Sequence, residues 1–558
     1  MNLVKIVGER IASQVLALGH SEKEWRVLII DHSTAKLLHH ALPMSEVLSR
    51  NIAMVERIEE ARAPSNDFSA IYFISANAQN IKKIEKDVSD KLYSSVFVVS
   101  ITEIQKKEEN ALESLAKKAE KQRAKGNSEF GFMYKAVLFD FVPLGEDLFH
   151  IETPYSYYTD KERYFSDITK KIKGVYRTVQ VRCTPIPVGL YAKKLAEQIE
   201  STGPGKLVIM ERGSDMNTPL MHTFTFESLL WDLGLSGPGY VVEKVEEEAE
   251  KNEEESDDTE DEKRLEMNES YQVWESVRNK QLVETHKTLT GLIREETESR
   301  EKEGKTNIKK LVKAVQELPS QTRTLKEIKI LMGLLEKCVS FFNSLGIKEA
   351  AELEQGISTG KDFKGNNFKP VVTKTLFSVL KESKLTKNEK YRLYLLYLLN
   401  YGNLQRNEEK KLIIKGLISQ KDVEHGEVVK THLSGRAISS ISKRSLPIAR
   451  HVPLVVDVLH AIINKDSAHC KKLEIDLPDS TDALTGGSLR KREFVFKANP
   501  SSENVHKRVI VVYFIGGVSI AEISEIREIA KNTGKKILIG STDVCSPNTF
   551  VETLRKLS

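Results

Sequence analysis

Two adjacent glycines and a nearby serine, Gly516, Gly517 and Ser519, are the residues of this chain best placed for phosphate chemistry. They lie between an apolar run, 509–517, and a helical stretch, where backbone N–H groups at a helix start can hold an anion. Neither a GxGxxG loop nor a GxxxxGK loop followed by Ser or Thr occurs in the sequence. The pattern therefore favours a tight turn that needs glycine over a nucleotide site.

Nucleophilic and metal chemistry both lack their usual spacings. Ser541 and Thr542 follow Gly540, but the GxSxG pattern of an activated serine is absent. His39 and His40 are adjacent on a predicted helix and point in different directions, and no HExxH or paired-cysteine pattern occurs. We therefore expect no enzymatic activity, no metal and no cofactor, with a nucleotide-dependent α/β enzyme as the less favoured alternative.

The cysteines indicate the compartment. Cys183, Cys338, Cys470 and Cys545 are scattered, which favours buried free thiols in a reducing environment over disulfides. No run of about twenty apolar residues suggests a membrane span, and the N-terminus predicts a helix rather than a signal peptide. We expect a cytoplasmic protein that reaches membranes through its partners and needs no homo-oligomer.

The net charge of +4 conceals an asymmetry. Segment 243–263 contains 13 acids and 3 lysines, a charge of −10, so the remainder carries 4 − (−10) = +14. The acidic segment is typical of a solvated, disordered loop, whereas a basic body attracts acidic helices, anionic lipid or nucleic acid. The cluster Arg490, Lys491 and Arg492 favours a solvated loop, and no RNA-binding aromatic motif accompanies it, so we expect no nucleic-acid partner.

Short apolar runs rich in Val, Ile and Phe alternate with helix-length segments at both ends of the chain, which predicts parallel sheets covered on both faces. The runs are 25–31, 70–75, 95–100, 136–143, 206–212, 509–517 and 536–541. From 268 to 418 the apolar residues recur at helical spacing, and the nearly all-apolar run 391–399 predicts a buried helix.

This alternation predicts an α/β plus α protein. A first α/β domain spans 1–138, and a second begins at 139–241 and is completed by 466–558. A mainly helical domain, 242–465, containing the acidic loop 243–263, is inserted between the two parts of the second domain.

Several segments, in this order, resemble signatures of the SM (Sec/Munc) family. They are WRVLIID at 25–31, MERGSDMNTPLMHTFTFESLLWDL at 210–233, LEQGISTGKDFKG at 353–365, and YFIGGVSIAEI with ILIGSTDVCSPNTFVETLRKL near the C-terminus. Glu211 stands where the family usually has Asp. The ending, with Pro547 after Ser546, is similar to the exocytic branch, and the Golgi, endosomal and vacuolar branches remain open.

The resemblance implies an arch-shaped, three-domain, non-enzymatic protein. It also implies that the protein binds a syntaxin-type SNARE, the assembling SNARE bundle, or both, in a central cavity and so controls vesicle docking and membrane fusion, with a vesicle SNARE as a further partner. A basic arch suits this role because SNARE helices are amphipathic and carry acidic residues.

The resemblance also implies a set of syntaxin-binding residues on the first domain: Asp31, Lys36, Glu56 and Arg62. We expect charge-assisted contacts from these four to the partner helices. The alternative for each is a surface or capping charge, and Asp31 in particular could cap the helix after its strand.

Pro319 is the expected hinge of a helical hairpin in the third domain. It lies between two amphipathic stretches, so we predict a helix break at or near it. In the family this hairpin bends back or extends, and the extended form offers a surface to a vesicle SNARE. An ordinary interhelical loop is the alternative.

Overall fold

The computed structural model describes thirteen stretches of the chain. They are 1–19, 24–124, 130–199, 203–237, 240–244, 262–266, 272–303, 308–344, 347–362, 364–382, 384–433, 450–475 and 509–557. The middle of the acidic segment, 245–261, and the basic cluster at 490–492 lie outside these residues.

A five-stranded sheet forms the first domain, in the order β2-β1-β3-β4-β5, with every neighbouring pair parallel. Alternate residues supply cores on its two faces: Leu28 and Phe73 on one, Val27 and Tyr72 on the other. Burial on both faces explains the continuous apolar runs. Its elements are α1 (Leu3–Gln14), β1 (Arg26–Ile30), α2 (His32–Ala41), α3 (Met44–Leu48), β2 (Ile52–Arg57), β3 (Ser65–Ile74), α4 (Ala78–Ser89), β4 (Tyr93–Ser100), α5 (Lys106–Ala124) and β5 (Gly131–Ala136).

A second sheet has the order β6-β7-β15-β13-β9-β8 and is built from two distant parts of the chain. Its pairs are parallel except β6 with β7. Its elements before the helical region are β6 (Val142–Pro143), β7 (Leu148–His150), α6 (Lys161–Val179), β8 (Cys183–Val188), α7 (Leu190–Gln198), β9 (Gly205–Glu211), α8 (Asn217–Leu220) and α9 (Phe226–Asp232). The elements after it are β13 (Val509–Ile515), β14 (Val518–Ser519), α20 (Ile520–Thr533), β15 (Lys536–Ser541), β16 (Val544–Cys545) and α21 (Pro547–Leu554), of which β14 and β16 pair in a separate two-stranded sheet.

A small antiparallel sheet and a set of helices lie between these two parts. The sheet contains β10 (Ser236–Gly237), β11 (Tyr240–Lys244) and β12 (Glu262–Glu266). The helices are α10 (Gln272–Val277), α11 (Leu282–Glu303), α12 (Ile308–Ser344), α13 (Ile347–Thr359), α14 (Val372–Glu382), α15 (Lys387–Tyr401), α16 (Arg406–Ile414), α17 (Gln420–Leu433), α18 (Leu454–Asn464) and α19 (Ser467–Lys472).

Two local predictions are wrong. The run 136–143 is not one strand, because β5 ends at Ala136 and the chain then crosses to the second sheet. Helix α12 continues through Pro319 instead of breaking there. A proline removes one backbone donor, but the remaining hydrogen bonds of a 37-residue helix outweigh this loss.

Among the described residues, no single helix is long and apolar enough to cross a membrane. The helices Thr324–Asn343 and Ile347–Thr359 meet the length and composition criterion only as a pair, with a bend of 75° between them. Ile328 and Leu331 of the first helix and Ala351 of the second are buried in a shared core.

Candidate functional site

Asp31 follows β1 and caps helix α2. Its Oδ1 accepts a hydrogen bond from the Thr34 backbone N–H (2.9 Å). Its Oδ2 accepts from the Ser75 N–H (2.7 Å) and from Asn80 Nδ2 (3.1 Å). The residue is 5% exposed, so its carboxylate joins the ends of β1 and β3 to the starts of α2 and α4. This geometry favours the capping interpretation, and a contact with a partner stays a prediction.

Arg62 is fixed inside the first domain by a buried ion pair. Its Nη2 lies 2.5 Å from Asp87 Oδ2, and the two side chains are 4% and 8% exposed. Its Nη1 donates to three carbonyl oxygens of the turn 57–60 at 3.0–3.1 Å. Burial alone lowers the pKa of the Arg62 guanidinium, but the hydrogen bond and charge of Asp87 outweigh burial and raise it. Arg62 therefore holds the turn after β2.

Glu56 lies on β2, at the edge of the first sheet, and is partly exposed. Its Oε2 accepts a hydrogen bond from the Tyr93 hydroxyl (3.2 Å). Burial, and then the negative charge of Glu56, raise the pKa of Tyr93, so this hydroxyl remains a donor at neutral pH. Glu56 thus presents a carboxylate at the surface on a rigid strand.

Lys36 joins the first domain to the second. From helix α2 its Nζ reaches Glu152 Oε1 at 2.7 Å, with the two side chains 37% and 43% exposed. Burial, with the neighbouring charges of His39 and Lys36, lowers the pKa of His40 to about 4. Burial and Lys36 also lower the pKa of His150. Both of these histidines are therefore neutral at neutral pH.

Four large apolar side chains around the β2 edge of the first sheet are exposed, two on α3 over one face and Met54 on the opposite face, and the sequence interpretation missed them. They are Trp25 (52%), Met44 (49%), Leu48 (43%) and Met54 (38%), which we call the edge surface. Met44 and Leu48 are four residues apart on α3, so they share one helical face. That spacing was visible in the sequence, but it also suits a core helix.

Buried residues of the segments that carry the family resemblance join the two parts of the second domain. Arg212 forms two hydrogen bonds to Glu522, at 2.9 and 2.7 Å, and the side chains are 1% and 0% exposed. Arg212 also donates to the Asp215 carbonyl oxygen. The signature residues thus join β9 to α20 inside the protein, which is a structural role that sequence patterns did not distinguish from a site.

The turn at Gly516 and Gly517 is packed against aromatic rings. Both glycines have positive φ, 88° and 102°, and the Gly516 carbonyl oxygen accepts a hydrogen bond from the Tyr158 hydroxyl (2.6 Å). A Cβ at Gly516 would lie 2.9 Å from the Tyr157 ring. This packing supports the tight turn. Within the described stretches, no group of three or more His, Cys, Asp or Glu side chains could hold a metal ion.

Comparisons with known proteins cover nearly the whole chain. The model of the Sec1 family matches residues 26–553. A protein transport protein sec1 of Dictyostelium discoideum is 23% identical, over 96% of this chain and 95% of that protein.

Two solved structures share the fold. The Unc18–syntaxin 1 complex from Monosiga brevicollis contains a chain that matches with a TM-score of 0.76 and 17% identity, and the match covers 100% of each chain. The SM protein Vps45 in complex with the Qa SNARE Tlg2 gives a TM-score of 0.74 and 15% identity, covering 100% of this chain and 98% of that chain. The predicted arch-shaped fold and the predicted family are therefore confirmed, and this chain belongs to the Sec1 family of SM proteins.

Proposed function

We propose that this chain is a non-enzymatic regulator of membrane fusion. It binds a syntaxin-type SNARE, the assembling SNARE bundle, or both, in the cavity of its arch and so controls vesicle docking and fusion. The observation that carries this proposal is the likeness, over the full length, to an Unc18 chain solved with syntaxin 1. The edge surface adds support because it offers exposed apolar side chains as anchors for a partner.

The partner helix contacts the edge surface, with Lys36 and Glu56 supplying charges. Two of the four apolar side chains are methionines, Met44 and Met54, which adapt to irregular partner surfaces. Asp31 and Arg62 act as positioning residues, since their hydrogen bonds hold the strand ends and the turn that present this surface.

The helical hairpin of α11 and α12 is the site for the vesicle SNARE in this proposal. Helix α12 is continuous from Ile308 to Ser344, which corresponds to the extended form of the hairpin. The hinge role of Pro319 stays a prediction. Proline supplies no backbone donor, so the helix can bend at this residue. Such a bend would withdraw the surface that the extended hairpin offers to the vesicle SNARE.

The protein acts in exocytosis from the cytoplasm, recruited to plasma or vesicle membranes by its SNARE partners. The sec1 relative supports the exocytic assignment, and the four buried free thiols support a reducing compartment. The likeness to Vps45 keeps a Golgi, endosomal or vacuolar step as the alternative.

Calorimetry with the full chain tests the proposal. The ligands are the cytosolic regions of syntaxins from each trafficking step and the assembled bundles. We expect tight binding to one of them, weakened by M44D/L48D on the edge surface. The matched control is V371D, a side chain 47% exposed in the helical region. Failure to bind any syntaxin or any bundle would overturn the proposal.

A further inference from the structure

Helix α16 presents one isolated apolar side chain to solvent. Ile414 is 83% exposed, the highest value among the large apolar residues that are described as exposed. Leu412 of the same helix is buried in the main core, and Ile413 packs against that core. The helix is therefore anchored by one side, and Ile414, its last residue, lies on the opposite side from Leu412.

Lysines surround this isoleucine. Lys410 and Lys411 precede it by four and three residues, so they flank it on the same helical face, and Lys415 follows it. Positions 410–421 contain four lysines and no acid. All three flanking lysines are exposed, and no ion pair found within the described part of the chain uses them.

This combination favours a lipid surface over a protein. Lysine is depleted from the cores of protein interfaces, where anchors occupy pockets and charges are paired. At an anionic bilayer, by contrast, the lysine stems lie along apolar material while their ammonium groups reach the headgroups. A single protruding isoleucine between lysines also fits a flat surface better than a groove.

We propose that the exposed face of α16 is a direct contact for an anionic lipid bilayer. Ile414 inserts at the boundary of the acyl chains, and Lys410, Lys411 and Lys415 bind the headgroup phosphates and carboxylates. This contact goes beyond the proposed function, in which SNARE partners recruit the protein. It is weak alone and adds to SNARE binding because both contacts act on one molecule.

Co-sedimentation of the full chain with protein-free vesicles tests this inference. We expect binding to vesicles of phosphatidylcholine with phosphatidylserine, little binding to phosphatidylcholine alone, and release in high salt. I414S should reduce binding several-fold, and K410E/K411E should reduce it roughly tenfold or more.

Two matched controls separate this site from general electrostatics. K193E/K194E changes the net charge equally on the exposed face of α7, and V371S removes another exposed aliphatic side chain. Both should bind vesicles like the unchanged protein, and thermal melts should show that all variants fold.

Three outcomes would overturn the inference. The first is equal binding of the unchanged protein to neutral and anionic vesicles. The second is an equal loss of vesicle binding in the α16 variants and in their controls. The third is that the α16 variants lose binding to an acidic SNARE region but still bind vesicles. Because the vesicles contain no protein, the first two outcomes leave the calorimetric test of SNARE binding independent, and the third would assign α16 to SNARE binding instead.

Discussion

Glu354 and Arg392 form an ion pair of 2.6 Å between Oε1 and Nη2, and neither side chain is exposed to solvent. His222 completes the group, since its backbone N–H donates to Glu354 Oε2 (2.8 Å). Burial alone raises the pKa of Glu354, but the charges of Arg392 and His222 lower it to about 2. The pair therefore ties α13 and α15 of the helical region to the segment that follows β9.

Breaking this pair on one side should destabilise the protein strongly. E354Q leaves the Arg392 charge buried without its counter-ion, so we expect a loss of about 3–5 kcal/mol in the free energy of unfolding. Urea unfolding followed by circular dichroism measures it. In E354Q/R392M, which removes both charges, the loss should be smaller than in E354Q. A single variant as stable as the unchanged protein would contradict the prediction.

Asp232 should destabilise the fold at neutral pH. Burial raises its pKa to about 6, and its Oδ2 has no hydrogen-bond partner. A carboxyl with a raised pKa binds more protons folded than unfolded, so its contribution to stability falls as pH rises from about 4 to about 6. D232N should therefore be more stable by up to about 3 kcal/mol at pH 7.5.

The pH dependence provides the control for this carboxyl. Near pH 3 the group is protonated in the folded state and largely protonated in the unfolded state, so the gain from D232N should nearly vanish. Thermal melts of both proteins across this pH range measure it, and a gain independent of pH would rule out the buried carboxylate as its source.

Arg62 and Glu56 should respond differently to replacement. R62M leaves Asp87 buried without its cation, so it should lower the Tm and reduce syntaxin binding only as far as the fold is lost. E56Q removes a partly exposed charge and keeps an oxygen that can accept from Tyr93, so it should weaken binding several-fold with little change in Tm. Thermal melts and calorimetry of both variants compare the two effects. If R62M kept the Tm of the unchanged protein but bound syntaxin weakly, Arg62 would be a contact residue.

Lys36 allows a charge-swap experiment. K36E should weaken syntaxin binding, because the proposed contact cation is lost and because the new carboxylate repels Glu152. K36E/E152K restores the ion pair between the domains but not the contact with the partner. We expect the swap to recover the Tm and not the affinity, and full recovery of affinity would show that Lys36 acts only as a link between the domains.

P319A should strengthen helix α12. The substitution supplies the missing backbone donor, so the surrounding helix should gain up to about 3 kcal/mol locally. Hydrogen exchange around residue 319 should slow. If bending at Pro319 regulates SNARE assembly, the rate of bundle formation should rise in this variant; an unchanged rate with slower exchange would separate the helix effect from function.

The buried strands could be predicted from the sequence, whereas the edge strands could not. β1 and β13 are apolar at nearly every position because both faces of their sheets are covered. β2 was missed because most of its residues are at least partly exposed. β8 was missed because Pro185 and Pro187 suggest a break in the strand. An edge strand tolerates proline, because the missing backbone N–H would face its unpaired side.

The candidate site was predictable only in part. The position of Asp31 at the end of a strand could be predicted from the sequence, whereas the position of Glu56 at a sheet edge could not. The buried partner of Arg62, Asp87, lies on α4, and only the tertiary fold brings the two together. The edge surface was missed for a similar reason, because exposure depends on which neighbours pack against each side chain and not on local spacing.

The order of strands in the second sheet has a consequence for synthesis on the ribosome. β13 and β15 lie between β7 and β9, so the centre of this sheet is supplied by the last part of the chain to be made. Until residues 509–541 emerge, β7 and β9 each lack a neighbouring strand, and unpaired strand edges aggregate readily. A premature stop codon late in the message would therefore remove the middle of a domain rather than its end, and such a product should depend on chaperones and be degraded.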